Sequence, residues 1–196
     1  MERFYFEIPS MEREKDAIEF IQEFYEYQSE THGVGGLSHY LDNYGEWLEK
    51  LENDYCTVPS EERVPARTYF FVRESDHKII GMSNIRLALN NSLREYGGHI
   101  GYSIRPTERG KGYNNIHLYL GLKVCDEHEI DEVFMDADLN NPASWKTMEH
   151  FGGKRKREYY HEGDKNVIVD YYIDVKEALA NHSEYEKMLV QGGKIR

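Results

Sequence analysis

The apolar positions of this chain change their period several times, and each change marks an element. RFYFEIP alternates aromatic and polar residues as a strand does, and it stops at Pro9. From residue 14 to 28 the spacing lengthens to three and four. Ala17, Ile18, Ile21, Phe24 and Tyr25 share one face, with Glu19, Glu23 and Glu26 opposite, which predicts an amphipathic helix introduced by Ser10. THGVGG at 31–36 reads as a flexible break. Leu41, Tyr44, Trp47, Leu48 and Leu51 then restore helical spacing in a second acidic helix.

RTYFFVRE and KIIGMSNIRLAL are rich in strand formers around SDH and predict a hairpin. GGHIGYSIRP predicts the next strand, with His99, Gly101 and Ser103 on one face, Ile100, Tyr102 and Ile104 on the other, and Pro106 as its end. A helix follows over about 113–128, apolar on most sides and therefore buried. EVFMDADL is a strand and NPASWKTMEHFGG a short helix that begins at Asn141 and ends in glycine. KRKRE at 154–158 reads as an exposed hairpin, NVIVDYYIDV as a last strand, and 176–191 as an added helix with a fraying end.

Length and composition set bounds on this picture. A chain of 196 residues predicts one domain, and 16 Tyr with 8 Phe supply the core area that a 39% hydrophobic content would not suggest. No stretch approaches the roughly 20 apolar residues of a membrane span. The N-terminal run lacks the order of a signal peptide, so a cytoplasmic protein with no membrane partner is expected. Cys56 and Cys125 are expected to be buried small hydrophobes, and Cys125 with His128 alone predicts no metal site.

Charge is uneven. Residues 1–62 hold 16 Asp and Glu against 4 Lys and Arg, which is the whole net charge of −12, while the remainder holds 20 against 20. Such a lobe repels phosphates, so a nucleic-acid partner is not expected.

ERGKGYNN at 108–115 carries the most specific chemistry. A strand, a turn with closely spaced glycines and a helix start point unpaired backbone N–H groups at one place, which is a receptor for phosphate. Gly110 and Gly112 let the backbone approach; Arg109 and Lys111 add charge. The third glycine of a dinucleotide fingerprint is missing, and there is no GxxxxGK[ST].

The order strand, RPTERGKGYN, long helix, strand, DADLNNPAS, short helix, FGG resembles the GNAT superfamily of N-acetyltransferases over most of the chain. EIPS, GVGGL, NIRLALN and GGHIGYSIRPTERGKGY resemble more specifically a bacterial branch of predicted acetyltransferases. The superfamily pattern Q/R-x-x-G-x-G/A is met through Arg109, Gly110, Lys111, Gly112 and Tyr113, with Asn114 in place of the last Gly or Ala.

That resemblance implies an α/β fold of GNAT type, a mixed and mostly antiparallel sheet with helices on both faces. It places the domain at 1–175, with 176–196 as its helical extension. It implies acetyl-CoA as co-substrate, held by the N–H groups of 110–114 near Arg109 and Lys111. The strand ending at Ile104 would pair with the pantetheine arm, and Asn141 and Ser144 would contact it. A backbone N–H of the Tyr102–Ile104 segment would meet the thioester oxyanion.

The implied reaction is transfer of the acetyl group to a primary amine by direct attack in a ternary complex, in a monomer or homodimer. The two helices after the first strand would wall the acceptor site, so their acidity predicts a cationic small molecule or peptide. His99, or a carboxylate of those helices, is the candidate base. The tyrosine proton donor of many relatives falls at Met148, which leaves Tyr159, and beside it Tyr160 or His150, as candidate acid. Asn114 and Met148 also leave room for a second reading, a CoA-binding sensor or partner protein with little catalysis.

Overall fold

The computed structural model describes residues 2–190. Its seven strands form two sheets in which every pairing is antiparallel. The first runs β1 (Phe4–Glu7), β2 (Ala66–Arg73), β3 (Ile79–Arg86), β4 (Ile100–Ile104). The second has β7 (Asn166–Asp174) between β5 (Glu132–Asp138) and β6 (Lys154–His161). In place of one continuous mixed sheet, β4 and β5 meet only near their starts. There the His99 N–H donates to Phe134 O at 2.8 Å and the Phe134 N–H to His99 Nδ1 at 3.0 Å.

Period-two alternation builds a core on each face of the first sheet. On one side Phe70, Val72, Ile79 and Met82 pack against α1 (Glu14–Glu26) and α2 (Tyr44–Tyr55). On the other, Tyr69, Phe71, Ile80 and Ile85 meet α4 (Tyr113–Glu127), and this core continues to Val133, Met135, Val169 and Tyr171 of the second sheet. Two short helices complete the layers, α3 (Asn91–Glu95) before β4 and α5 (Pro142–His150) after β5. No helix among the described residues is long and apolar enough to cross a membrane.

Several details differ from the sequence expectation. On α1 it is Phe20 that is buried, one turn before Phe24 with ring centroids 4.9 Å apart, while Tyr25 lies off the stripe at 53% exposed. Ser10 precedes a 3-10 turn, Met11–Arg13, and its side chain caps nothing. Cys125 is buried, but Cys56 is exposed beyond the last turn of α2, with its Sγ 3.6 Å from Glu52.

THGVGG is a packed turn rather than a flexible break. At Gly33, φ is +68°, and a Cβ there would lie 2.1 Å from the Gly101 carbonyl oxygen. Ser103 Oγ donates to His32 O at 2.7 Å and Trp47 Nε1 to Gly35 O at 3.1 Å, so the turn is fastened onto β4 and α2.

The added C-terminal helix is short: α6 (Val175–Asn181), capped by Asp174, gives way to a 3-10 turn at Ser183–Met188. The Val190 N–H then donates to Phe4 O at 3.1 Å, which returns the chain to its own first strand. The expected fraying end, at 191 and beyond, lies outside the described residues.

Candidate active site

Between β4 and α4 the chain makes a 3-10 turn, Pro106–Glu108, and then two left-handed glycines, Gly110 at φ +76° and Gly112 at φ +77°. Gly112 is the N-cap of α4 without a side-chain cap bond, and the N–H groups of residues 110–114 have no acceptor among the described residues. A Cβ at either glycine would meet nothing within 4 Å. Open space beside a row of unpaired donors at a helix start fits the diphosphate of CoA.

The loop cations are arranged differently from expectation. Arg109 braces the cleft: its Nε donates to Ile104 O at 3.1 Å, a terminal nitrogen to Ser29 Oγ at 2.9 Å, and its guanidinium lies 5.3 Å from the Phe24 ring centre. Lys111 turns to Glu108 at 2.8 Å, because Glu108 is buried and gathers cations, Arg73 at 2.9 Å and Lys78 at 3.0 Å as well. Burial alone would raise the Glu108 carboxyl, but hydrogen bonds from Lys111, Lys78 and Arg73 outweigh it and hold the group at about 2.

From this loop a cleft of about 670 Å³ runs between β4 and α5, and Lys111 apart, every cofactor-binding residue expected from the sequence lines it. Arg105 N–H bonds Ile80 O, so by the alternation of the ladder the N–H groups of Tyr102 and Ile104 face away from β3, toward the gap between the sheets. Tyr113 packs its ring on Phe4 and donates its hydroxyl to Glu2 at 2.6 Å. Asn141 opens α5 with no side-chain cap bond, so its amide is not tied to the helix end. Ser144 stands one turn on, its Oγ 3.4 Å from the Tyr102 hydroxyl.

Asn114 does not fill the open space beside these loop donors. Its Nδ2 turns to Ala143 O and Thr147 Oγ1, both at 3.0 Å, and to the Tyr102 hydroxyl at 3.3 Å. The side chain thus leaves the backbone donors open and fastens α4 to α5.

A second cleft, of about 510 Å³, shares Glu30, His32, Tyr102, Asp138, Asn141 and Ser144 with the first. It extends past Asp136 to Tyr96, whose hydroxyl donates to Asp164 and whose ring stacks on His161 at 4.2 Å. Four carboxylates line it, Glu30, Asp136, Asp138 and Asp164, against Arg86, whose Nη1 donates to the Gly97 and Gly98 carbonyls at 2.9 and 2.8 Å. Of the acidic excess in residues 1–62, only Glu30 reaches this cleft. Its other acids come from β5 and from the turn between β6 and β7, which no count along the chain assigns to the same place.

The expected catalytic side chains lie elsewhere. His99 lines neither cleft; its Nδ1 accepts the Phe134 N–H, and burial lowers its pKa to about 4, so it is a neutral tie between the sheets. Tyr159 lies on β6 and donates to Glu95 O at 3.2 Å, with Arg157 over its ring. Tyr160 is exposed, and His150 pairs with the Tyr185 hydroxyl at 3.0 Å beside α6. Met148 is core, 1% exposed. The clefts join at residues that include His32, Glu30 and Tyr102. Along the chain His32 sits in a glycine-rich run and Tyr102 in the apolar row Ile100, Tyr102, Ile104, where its hydroxyl tip is the one sign that it differs from its neighbours.

A family model described as the acetyltransferase (GNAT) domain matches residues 8–154. No curated protein matches the chain. Among solved structures, a chimera of the spermidine N-acetyltransferase SpeG from Vibrio cholerae and hSSAT is similar at 14% identity and a TM-score of 0.63, over 91% of this chain and 99% of that one. RimJ from Mycobacterium smegmatis, in complex with CoA-disulfide, is similar at 14% identity and a TM-score of 0.65, over 93% and 92%. The ribosomal-protein-S5-alanine acetyltransferase from Vibrio fischeri gives 14% and 0.63, over 89% and 94%. At these identities the likeness is one of fold.

Proposed function

The chain belongs to the GNAT acetyltransferase family, and from that premise we propose that it moves the acetyl group of acetyl-CoA to a primary amine of a cationic small molecule or peptide, by direct attack with both substrates bound. Acetyl-CoA supplies the activated thioester. The N–H groups of 110–114 hold its diphosphate, and the cleft-facing edge of β4 with Asn141 and Ser144 holds the arm. A β4 N–H directed into the gap receives the charge that develops on the carbonyl oxygen.

The acceptor enters by the second cleft, and the observation that carries its charge is the set of four carboxylates there, facing a guanidinium already engaged with two carbonyls. A lysine-like amine has a pKa of about 10.4, so roughly one molecule in 2,500 is neutral at pH 7 and a proton must leave before attack. His32 and Glu30, 3.8 Å apart where the clefts join, take that proton through water. Proximity supplies most of the acceleration: aligning two bound reactants is worth about 7–11 kcal/mol.

The test is acetyl transfer to a panel of a linear polyamine, a basic peptide and a neutral-bodied monoamine at low and high salt. The expected result is a kcat/KM for the polycations at least about tenfold above the monoamine, shrinking as salt rises. Equal turnover of all three at low salt would remove the cationic acceptor from the reading.

A further inference from the structure

We propose that the Tyr102 hydroxyl is the proton donor to the leaving thiolate and that Asn114 is the residue that positions it. This rests on the acetyl-transfer reading and concerns the two places where the sequence departs from the superfamily pattern, Asn114 in the loop and Met148 in α5. The structure assigns them a common explanation.

Tyr102 is the one tyrosine among the described residues that lines both clefts. Other tyrosine hydroxyls near the clefts are directed elsewhere, Tyr96 to Asp164 and Tyr113 to Glu2. Tyr102 extends from β4 between α4 and α5, so its ring is fixed by packing, edge-on to His117 at 5.5 Å. Its oxygen receives the Asn114 Nδ2 at 3.3 Å and faces Ser144 Oγ at 3.4 Å. A glycine or alanine at 114 would leave that oxygen without its amide donor. The amide has two hydrogens for three acceptors, so the Tyr102 oxygen shares one of them with Ala143 O or Thr147 Oγ1, each at 3.0 Å, and these two fix the amide's direction.

A donor into the phenol oxygen does two things: it leaves the O–H hydrogen as the group available to a neighbour, and it stabilises the oxygen when the proton departs. Burial raises the Tyr102 pKa, so the hydroxyl is protonated at neutral pH, while Ser144, Asn114 and Thr147 pull the other way.

In the step, the amine nitrogen bonds to the thioester carbon, the C–S bond breaks, and the electron pair moves to sulfur. Tyr102 gives its proton to that sulfur. A phenol is a weaker acid than a thiol, so the proton crosses as the one shed by the acylated nitrogen replaces it through water, and Tyr102 ends neutral. The balance is amine plus thioester to amide plus thiol.

The test uses the full chain with Tyr102→Phe, Asn114→Ala and 3-fluorotyrosine at position 102. Calorimetry with CoA reports binding, and Cζ-labelled tyrosine NMR reports the Tyr102 phenol, its signal identified by its absence in Tyr102→Phe. Tyr102→Phe is expected to lower kcat about 100-fold, the low end for general acids because thiolate leaves readily, with CoA affinity kept within about threefold. Asn114→Ala is expected to move the phenol titration to higher pH and lower kcat about tenfold.

Turnover by Tyr102→Phe within about threefold of wild type overturns the donor role. An unmoved phenol signal in Asn114→Ala overturns the positioning role. If Tyr102→Phe does not fold, the fluorinated chain decides: its phenol is more acidic at equal shape, so the alkaline limb of kcat must shift toward lower pH, and a fixed limb overturns the proposal. Wild type that binds CoA and acetylates no amine would instead remove the acetyl-transfer reading itself.

Discussion

Lys111 and Glu108 lie 2.8 Å apart within the turn that leads into α4, so the lysine of the loop is committed to the protein. Glu108 is buried and also holds Arg73 and Lys78, and its pKa stands at about 2 against an ordinary 4.5. Its folded pKa is the lower one, so its stabilisation is complete above about 4.5 and is lost as pH falls through about 2. Glu108→Gln leaves three cations without their anion, and a loss of about 3 kcal/mol at pH 7 is expected. Urea titrations of both proteins should show the gap narrowing from pH 4.5 downward.

Gly112 and Gly152 share a left-handed backbone, φ +77° and +75°, and a Cβ would have open space at both. Of the two, only Gly112 borders the cleft between β4 and α5. A side chain costs about 1–2 kcal/mol of backbone strain at either. Gly112→Glu is expected to weaken acetyl-CoA binding at least about 100-fold, whereas Gly152→Ala is expected to lose stability alone. Calorimetric titration with thermal melts separates the two effects.

What the sequence disclosed was local in origin. The loop 108–115, the long helix behind it and Asn141 at the start of α5 were legible because glycine spacing, period 3.6 and a helix opener act within a few residues. What it concealed depends on contacts across the fold. THGVGG looks flexible until Gly33 is placed on the Gly101 carbonyl, and the acids of the second cleft come from three distant segments. Asn114 reads from the sequence only as a departure from the pattern because its amide partners, Ala143, Thr147 and Tyr102, are brought to it by two other elements.

His99 is a case of the same kind with a measurable consequence. It read as a base on a strand, and it proves to be the acceptor for Phe134 N–H that joins β4 to β5. Burial lowers its pKa from 6.5 to about 4. An unfolded chain therefore takes up a proton that the folded one refuses, and stability falls as pH drops from 6.5 toward 4. His99→Ala is expected to cost about 1–3 kcal/mol at pH 7, to flatten that acid dependence, and to leave the acidic limb of kcat/KM in place. A displaced limb would restore His99 as the base.

Leu189, 9% exposed, bridges to Phe4 on β1, and Glu186 before it takes Tyr119 at 3.0 Å and Lys123 at 2.5 Å from α4. The C-terminal segment therefore closes the core of its own chain. Leu189→Ala is expected to destabilise by about 2 kcal/mol, read as a lower urea midpoint at unchanged slope, with acetyl-CoA binding intact.

The acid of the second cleft can be separated from the acid of the surface. Glu12 is exposed on the turn before α1, and Asp138 lines both clefts while its Oδ1 accepts the Asn140 N–H at 2.7 Å. Asp138→Asn keeps that hydrogen-bond acceptor and removes one charge where the two clefts join. A cation about 5 Å from a carboxylate near a protein surface gains about 3 kcal/mol before desolvation, whereas a charge beyond about 8 Å is screened at physiological salt. Asp138→Asn is therefore expected to raise KM for a polycationic acceptor about tenfold and to flatten its salt dependence, with kcat for a monoamine changed far less. Glu12→Gln removes the same unit of net charge and is expected to change neither. Equal losses in the two variants, measured side by side at low salt, would mean that the acceptor responds to the summed field of the acidic lobe and not to the carboxylates of the cleft.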